Sequence, residues 1–160
     1  MSLKTSTLLL GGGTLLSVAA VGAALVSQHV FGMEPCPWCV LQRVILLAIA
    51  LACLLGLALR SGIGRQLGAA VGLVLALCGM ASALWQHFVA AASNSCDLTL
   101  AAKIVGAMQL DSWLPDVFSA RASCMDAAVK LAGLSYEFYS LALFVVIAIG
   151  CAWVLRQPQA

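Results

Sequence analysis

Polar and apolar positions follow one another along this chain in long blocks. Four apolar blocks stand out, over residues about 8–26, 40–59, 67–89 and 138–155. Each approaches the roughly 20 residues that an α-helix needs to cross a bilayer. The first block carries no charge, and the second carries Arg43 near its start. The third is broken only by Gln86 and His87 near its end. Their separators are unequal. Residues 27–39 and 60–66 are short links, whereas 90–137 form one long loop. Lipid offers no water to backbone polar groups, so the blocks predict helices. The expected fold is all-α: a single integral membrane domain over residues 1–160, built as a four-transmembrane-helix bundle with a long second loop.

Composition agrees. Of 160 residues, 63% are hydrophobic and only 9% charged, against about 25% charged in soluble domains. A net charge of +2 without a basic cluster speaks against a nucleic-acid partner. Lys4 followed by an apolar run resembles a signal peptide, but the run exceeds the 7–15 residues of such a segment, so a retained helix is expected. Glycines 11, 12, 13, 22, 68, 72 and 79 fall in the blocks, where small residues let helices approach closely.

Charge sets the expected orientation. Lys4, Arg60, Arg65 and Arg156 fall at the N-terminus, in the second link and at the C-terminus. Four spans place those regions on one side, which the positive-inside rule makes cytoplasmic. All six acidic residues, Glu34, Asp97, Asp111, Asp116, Asp126 and Glu137, fall on the other side. Cys36, Cys39, Cys96 and Cys124 are on that side or at its membrane edge, and so face an oxidising compartment such as a bacterial periplasm. The expected location is the inner membrane, with both termini cytoplasmic. In the long loop, Leu98–Met108 is mostly apolar, and Trp113-Leu114-Pro115-Asp116-Val117-Phe118 mixes bulky apolar with acidic residues. A short interfacial helix near 113–120 is expected, with its rings at the headgroups.

Seven cysteines divide by position. Cys53, Cys78 and Cys151 are inside the apolar blocks, where a cysteine behaves as a small hydrophobe. Cys36-Pro37-Trp38-Cys39 opens the second block. Proline is favoured at the first helical position, so a helix is expected to begin at Pro37, with Cys36 at the cap and Cys39 in the first turn. The positive end of the helix dipole favours a thiolate there, the attacking species in disulfide exchange. A zinc site wants four closely spaced ligands; one CxxC without a second pair does not supply them, so no metal is expected. Cys96 and Cys124 are 28 positions apart in the loop. If bonded, they are either a staple worth roughly 3–4 kcal/mol or a shuttle that exchanges with Cys36–Cys39. The reduction potential decides between the two.

Arg43 is four residues after Cys39, so both project from one helix face about 6 Å apart. An arginine inside an apolar segment is costly and usually functional, although near a helix end it can snorkel to headgroups. The functional reading has its charge stabilise a thiolate and a reduced acceptor, and its N–H groups donate to a carbonyl oxygen. A quinone dissolved in the bilayer has such oxygens and takes two electrons, as a dithiol gives two. Gln42 is on another helix face and is a weaker candidate. His87 and His29 fall at the thiol side of the bundle, where imidazole either carries protons released by dithiol oxidation or is simply an interfacial polar residue.

These residues in this order resemble the DsbB family, the bacterial inner-membrane disulfide bond formation proteins. The resemblance covers nearly the whole chain. It rests on four spans, Gln28-His29, Cys36-Pro-Trp-Cys39-x-x-x-Arg43, Ser95-Cys96-Asp97, and Trp113-Leu-Pro-Asp-Val-Phe118 followed by Cys124. It implies a protein dithiol:quinone oxidoreductase that reoxidises a DsbA-like periplasmic thioredoxin-fold oxidase and passes the electrons to ubiquinone or menaquinone. Cys96 would take the mixed disulfide with that oxidase, with Cys124 as its partner. Cys36 would exchange with the loop pair. Cys39 would meet the quinone as a thiolate beside Arg43, with His87 and Gln42 as weaker quinone contacts. Partners are then the oxidase and membrane lipid. Cys53, Cys78 and Cys151 stand outside the family pattern. Vitamin K epoxide reductase-like proteins also carry two cysteine pairs on a helix bundle. There the loop pair precedes the CxxC, opposite to the order here.

Overall fold

A computed structural model describes residues 3–90, 100–123, 130–131 and 133–157. Four long helices dominate: α1 (Leu3–Phe31), α2 (Pro37–Ala58), α3 (Gly62–Trp85) and α7 (Tyr136–Arg156). Between α3 and α7 come a π-helical turn (Gln86–Ala90), three short helices, α4 (Leu100–Ala107), α5 (Leu110–Trp113) and α6 (Pro115–Phe118), and a small hairpin of β1 (Lys130–Leu131) and β2 (Leu134–Ser135). The four long helices are each long and apolar enough to span a membrane. They form an all-α four-helix membrane bundle.

The first span outruns its apolar block. α1 continues through Gln28 and His29 to Phe31, so the first link shrinks to 32–36. A count of apolar residues stops at the first polar side chain, but a helix continues wherever that side chain finds partners. Gln28 is 7% exposed and finds them in Arg43 and the Asp116 carbonyl. Where one short helix is expected near 113–120, the chain makes two single turns, α5 and α6, joined at Leu114. Pro115 opens α6, the position where its missing N–H costs nothing. Nothing in the residue pattern announces the hairpin; its turn uses Gly133 at φ 86°, a conformation glycine adopts without strain.

α2 is the central helix, packed on α1, α3 and α4. Its contact with α3 is backbone-close, because Gly56 and Gly68 face each other. A Cβ on Gly68 would come within 2.8 Å of the Ala52 carbonyl oxygen. On α3's other side, Gly79 accepts the ring of Phe144 from α7, and a Cβ there would collide with it. Outward faces are apolar and exposed, with Leu15, Leu51, Leu54, Val71, Val74 and Ile149 among them. That is the surface of a bundle solvated by lipid. Ser61 caps α3 by accepting from the Gly64 N–H at 2.9 Å, which closes the tight α2–α3 link.

Candidate active site at the head of the second span

The site is built on the first two turns of α2. Pro37 is the first helical residue and Cys36 the cap, its sulfur accepting the Cys39 N–H at 3.3 Å. This is the arrangement the Cys-Pro-Trp-Cys order predicts. The two sulfurs lie 2.9 Å apart, close enough to join with little side-chain movement. They differ in surroundings. Cys36 is fully buried, and its hydrogen bond with Cys39 and then burial push its thiol above the ordinary range. Position at the dipole's positive end favours a thiolate on either sulfur; burial and the shared proton assign the proton to Cys36. Cys39 is half-buried, and its sulfur accepts the Gln86 side-chain N–H at 3.4 Å.

Arg43 does not snorkel. It is 5% exposed, and its guanidinium turns into the protein. One terminal nitrogen donates to Gln28 Oε1 at 2.7 Å and to the Val117 carbonyl at 2.9 Å; the other donates to the Ala24 carbonyl at 3.4 Å. Gln28 in turn donates to the Asp116 carbonyl at 3.1 Å. Arg43 and Gln28 thus clamp the α6 turn onto α1 and α2. All these acceptors are neutral oxygens, and the ion pairs among the described residues are between other groups. A buried cation satisfied only by dipoles keeps its charge for an anion nearby.

A cavity of about 260 Å³ lies beside this guanidinium, between α1, α2 and α7. Cys39, Gln42 and Arg43 line it with Ala20, Leu46 and Leu143 as an apolar wall and Tyr136, Tyr139 and Ser140 as a hydroxyl-bearing one. A larger cavity of about 640 Å³ lies against α2, α3 and α4. Trp38, Ile45, Cys78 and Trp85 line it, but neither sulfur of the CxxC nor any cation does. Size therefore does not locate the chemistry; the smaller cavity has both the thiol and the charge.

The residues singled out by sequence separate here. Cys36, Cys39, Gln42 and Arg43 come together. His87 turns away to Glu137, Nδ1 to Oε1 at 3.4 Å, and packs on Phe138 with ring centres 4.7 Å apart. It is not among the residues lining the Cys39 cavity. His29 is exposed on α1. Cys96 and Cys124 lie outside the described residues. Close to Cys124 in sequence, however, the N–H groups of Arg121 and Ala122 both donate to the Pro35 carbonyl, at 3.0 and 3.3 Å. Pro35 immediately precedes Cys36. Sequence reasoning missed Gln86, which donates to Cys39 Sγ at 3.4 Å and accepts from Gln42 Nε2 at 2.7 Å. Its signal was a glutamine within an otherwise apolar block.

The family model described as Disulfide bond formation protein DsbB matches residues 6–154. The chain belongs to the DsbB family. Curated relatives named Disulfide bond formation protein B agree with that membership. The protein from Herminiimonas arsenicoxydans is 32% identical over 92% of this chain and 93% of its own length. That from Pseudomonas syringae pv. tomato is 33% identical over 84% and 80%. That from Burkholderia pseudomallei is 28% identical over 99% and 95%. DsbB membership makes this chain a multi-pass membrane oxidoreductase of disulfide bond formation. The CxxC, the buried arginine and the cavity are the parts of the fold suited to that chemistry.

Proposed function

We propose that this protein reoxidises a DsbA-like periplasmic thiol oxidase and delivers the two electrons to a membrane quinone, ubiquinone or menaquinone. The termini are cytoplasmic, and the CxxC end of the bundle faces the periplasm of an inner membrane. The observation that carries this reading is the meeting in one cavity of Cys39 and Arg43, a buried guanidinium with no acidic partner among the described residues. A quinone bound there supplies the two-electron acceptor. The residues present fit it: a guanidinium for a carbonyl or phenolate oxygen, hydroxyl-bearing side chains on one wall and an apolar wall for the ring and tail.

The protein's own groups divide the work by position. A thiolate of the oxidase's dithiol attacks Cys96 of the Cys96–Cys124 disulfide. The mixed disulfide forms as the loop bond breaks, and Cys124 leaves as the thiolate. The oxidase's second thiol then displaces Cys96 and closes the oxidase's own disulfide. Ala122 is held at Pro35, and Cys124 comes two residues later, about 7 Å of extended chain. A thiolate of the loop pair then attacks Cys36 of the Cys36–Cys39 disulfide. One S–S bond forms as the other breaks, and Cys39 leaves as the thiolate. A leaving sulfur departs faster when its negative charge is stabilised, and Cys39 is the sulfur that shares a cavity with Arg43 and accepts the Gln86 side-chain N–H. Reoxidation of Cys36 and Cys39 releases two electrons and two protons. DsbA, near −120 mV, is a strong oxidant, so only a stronger acceptor regenerates it.

The test is purified protein with reduced DsbA-like oxidase and quinone, followed through quinone absorbance. Quinone consumption at one equivalent per dithiol is expected. No consumption with correctly folded protein overturns the reading. So does a Cys36–Cys39 potential below about −300 mV, the range of inert structural disulfides.

A further inference from the structure

Gln86 reaches Cys39 from an unusual piece of backbone. α3 passes without interruption into the π-helical turn Gln86–Ala90. Such turns are rare; they occur mostly as single turns within α-helices, frequently at functional sites. Gln86 is 3% exposed and Gln42 is 5% exposed. Both amides are therefore out of water, where an unmade hydrogen bond is costly.

Their bonds run in one direction. Gln42 Nε2 donates to Gln86 Oε1 at 2.7 Å, and Gln86 Nε2 donates to Cys39 Sγ at 3.4 Å. With Gln42 Nε2 donating to Gln86 Oε1, the amino end of the Gln86 amide faces the sulfur. Reversing that amide would sacrifice the shorter bond and turn an oxygen lone pair toward Cys39. A sulfur facing an N–H is favoured as an anion. We propose that Gln86 is a further catalytic residue, holding the Cys39 sulfur as a hydrogen-bond acceptor when it leaves as thiolate. Gln42 is its positioning residue and acts through the Gln86 amide. Arg43 supplies charge from the cavity side and Gln86 supplies a directed N–H from the α3 side. The assignment rests on Cys39 being the leaving sulfur of the proposed relay.

The test uses the full-length, reduced protein in detergent, with neither quinone nor partner present. N-ethylmaleimide is reacted across pH 5–9, and the adduct on the Cys39 peptide is quantified by mass. Gln86→Met keeps side-chain length and removes the donor. The midpoint of its alkylation profile should move to higher pH, and its rate at neutral pH should fall about tenfold, the equivalent of one pH unit. Gln42→Met should move it the same way by less. The double variant should match Gln86→Met alone, because both act through one bond. Unmoved midpoints in folded single variants overturn the proposal, as does a double variant that shifts by the sum of the two. If Gln86→Met fails to fold, the Gln42→Met profile decides. Because the measurement needs no quinone, absent quinone reduction together with shifted profiles would sink the relay and leave only the stabilising Gln86–Cys39 hydrogen bond standing, so the two failures are distinguishable.

Discussion

Among the described residues, two sulfur pairs lie in this bundle, one at the head of α2 and one toward its other end, and only the first is equipped to react. Cys36 and Cys39 sit at the helix head. Cys53, 14 residues after Cys39 in sequence, pairs with Cys151 of α7 through a side-chain contact. Both of these sulfurs are buried. They rest against glycine: a Cβ on Gly72 would lie 3.1 Å from Cys151 Sγ and 3.5 Å from Cys53 Sγ, and one on Gly13 would lie 3.6 Å from Cys53 Sγ. Nearness of two thiols is thus common to both pairs. The head pair differs in what surrounds it. It has a guanidinium without a counter-charge among the described residues, an amide N–H aimed at one sulfur, a cavity against Cys39, and a loop tethered one residue before Cys36. Reactivity of a thiol comes from stabilising the thiolate, and only the head pair has groups for that. Cys53 and Cys151 fill space between helices, as a small hydrophobe does.

The largest effect should separate the pairs outright. Cys39→Ala should lower quinone-linked oxidation of a partner dithiol by at least about a thousandfold, as expected when a reacting group is removed. Cys53→Ala and Cys151→Ala should each stay within about twofold of the parent rate, since neither touches the reacting atoms. Turnover assays on the three variants, with matched helical content, check this. A comparable loss in Cys53→Ala would mean that the two pairs are in one relay.

Next in size is the charge. Arg43→Met should slow quinone reduction by about 100-fold, the scale for losing one preorganised electrostatic group. It should leave Cys36 and Cys39 able to form their bond with a chemical oxidant. Stopped-flow quinone absorbance and thiol counting give the two readouts. Equal rates in Arg43→Met and parent would reduce Arg43 to its role as a clamp on α6.

The clamp itself gives a smaller, mixed effect. Gln28→Leu removes an acceptor from Arg43 and a donor from the Asp116 carbonyl. Leaving buried polar groups unpaired costs about 1–3 kcal/mol, so thermal stability should fall. The α6 turn should also exchange backbone amide hydrogens faster, around residues 115–118. Unchanged exchange there would show that the loop is held by the Pro35 contacts alone.

Much of this was legible in the sequence, for identifiable reasons. Long apolar blocks announce spans because the bilayer fixes their length. The CxxC motif with Pro37 announces a cap because proline and the helix start constrain each other. Arg43 announces itself because a charge in an apolar block requires an explanation. Its partners were not legible. Gln28 and Val117 are separated from Arg43 by 15 and 74 positions, so only tertiary packing brings them together. Gln86 was hidden for a related reason. Its importance depends on its place at the start of a π-helical turn packed against Cys39, and no local spacing rule encodes that placement. His87, one residue further on, showed the stronger chemical signal, yet the same turn directs it to Glu137.

The smallest expected effect tests the packing half of the comparison. A methyl group at Gly72 would stand 3.1 Å from Cys151 Sγ, tighter than ordinary van der Waals contact. Overpacking a fitted core costs about 1–3 kcal/mol, so Gly72→Ala should lower the melting temperature while leaving quinone reduction unchanged. Adding Cys151→Ala removes the sulfur that the methyl crowds. The double variant should then be more stable than Gly72→Ala alone, a non-additivity characteristic of residues in contact. Thermal melts of the parent, both single variants and the double variant measure that coupling. If the double variant loses the sum of the single losses, Cys151 is not yielding to the methyl group, and its sulfur is held by something other than packing.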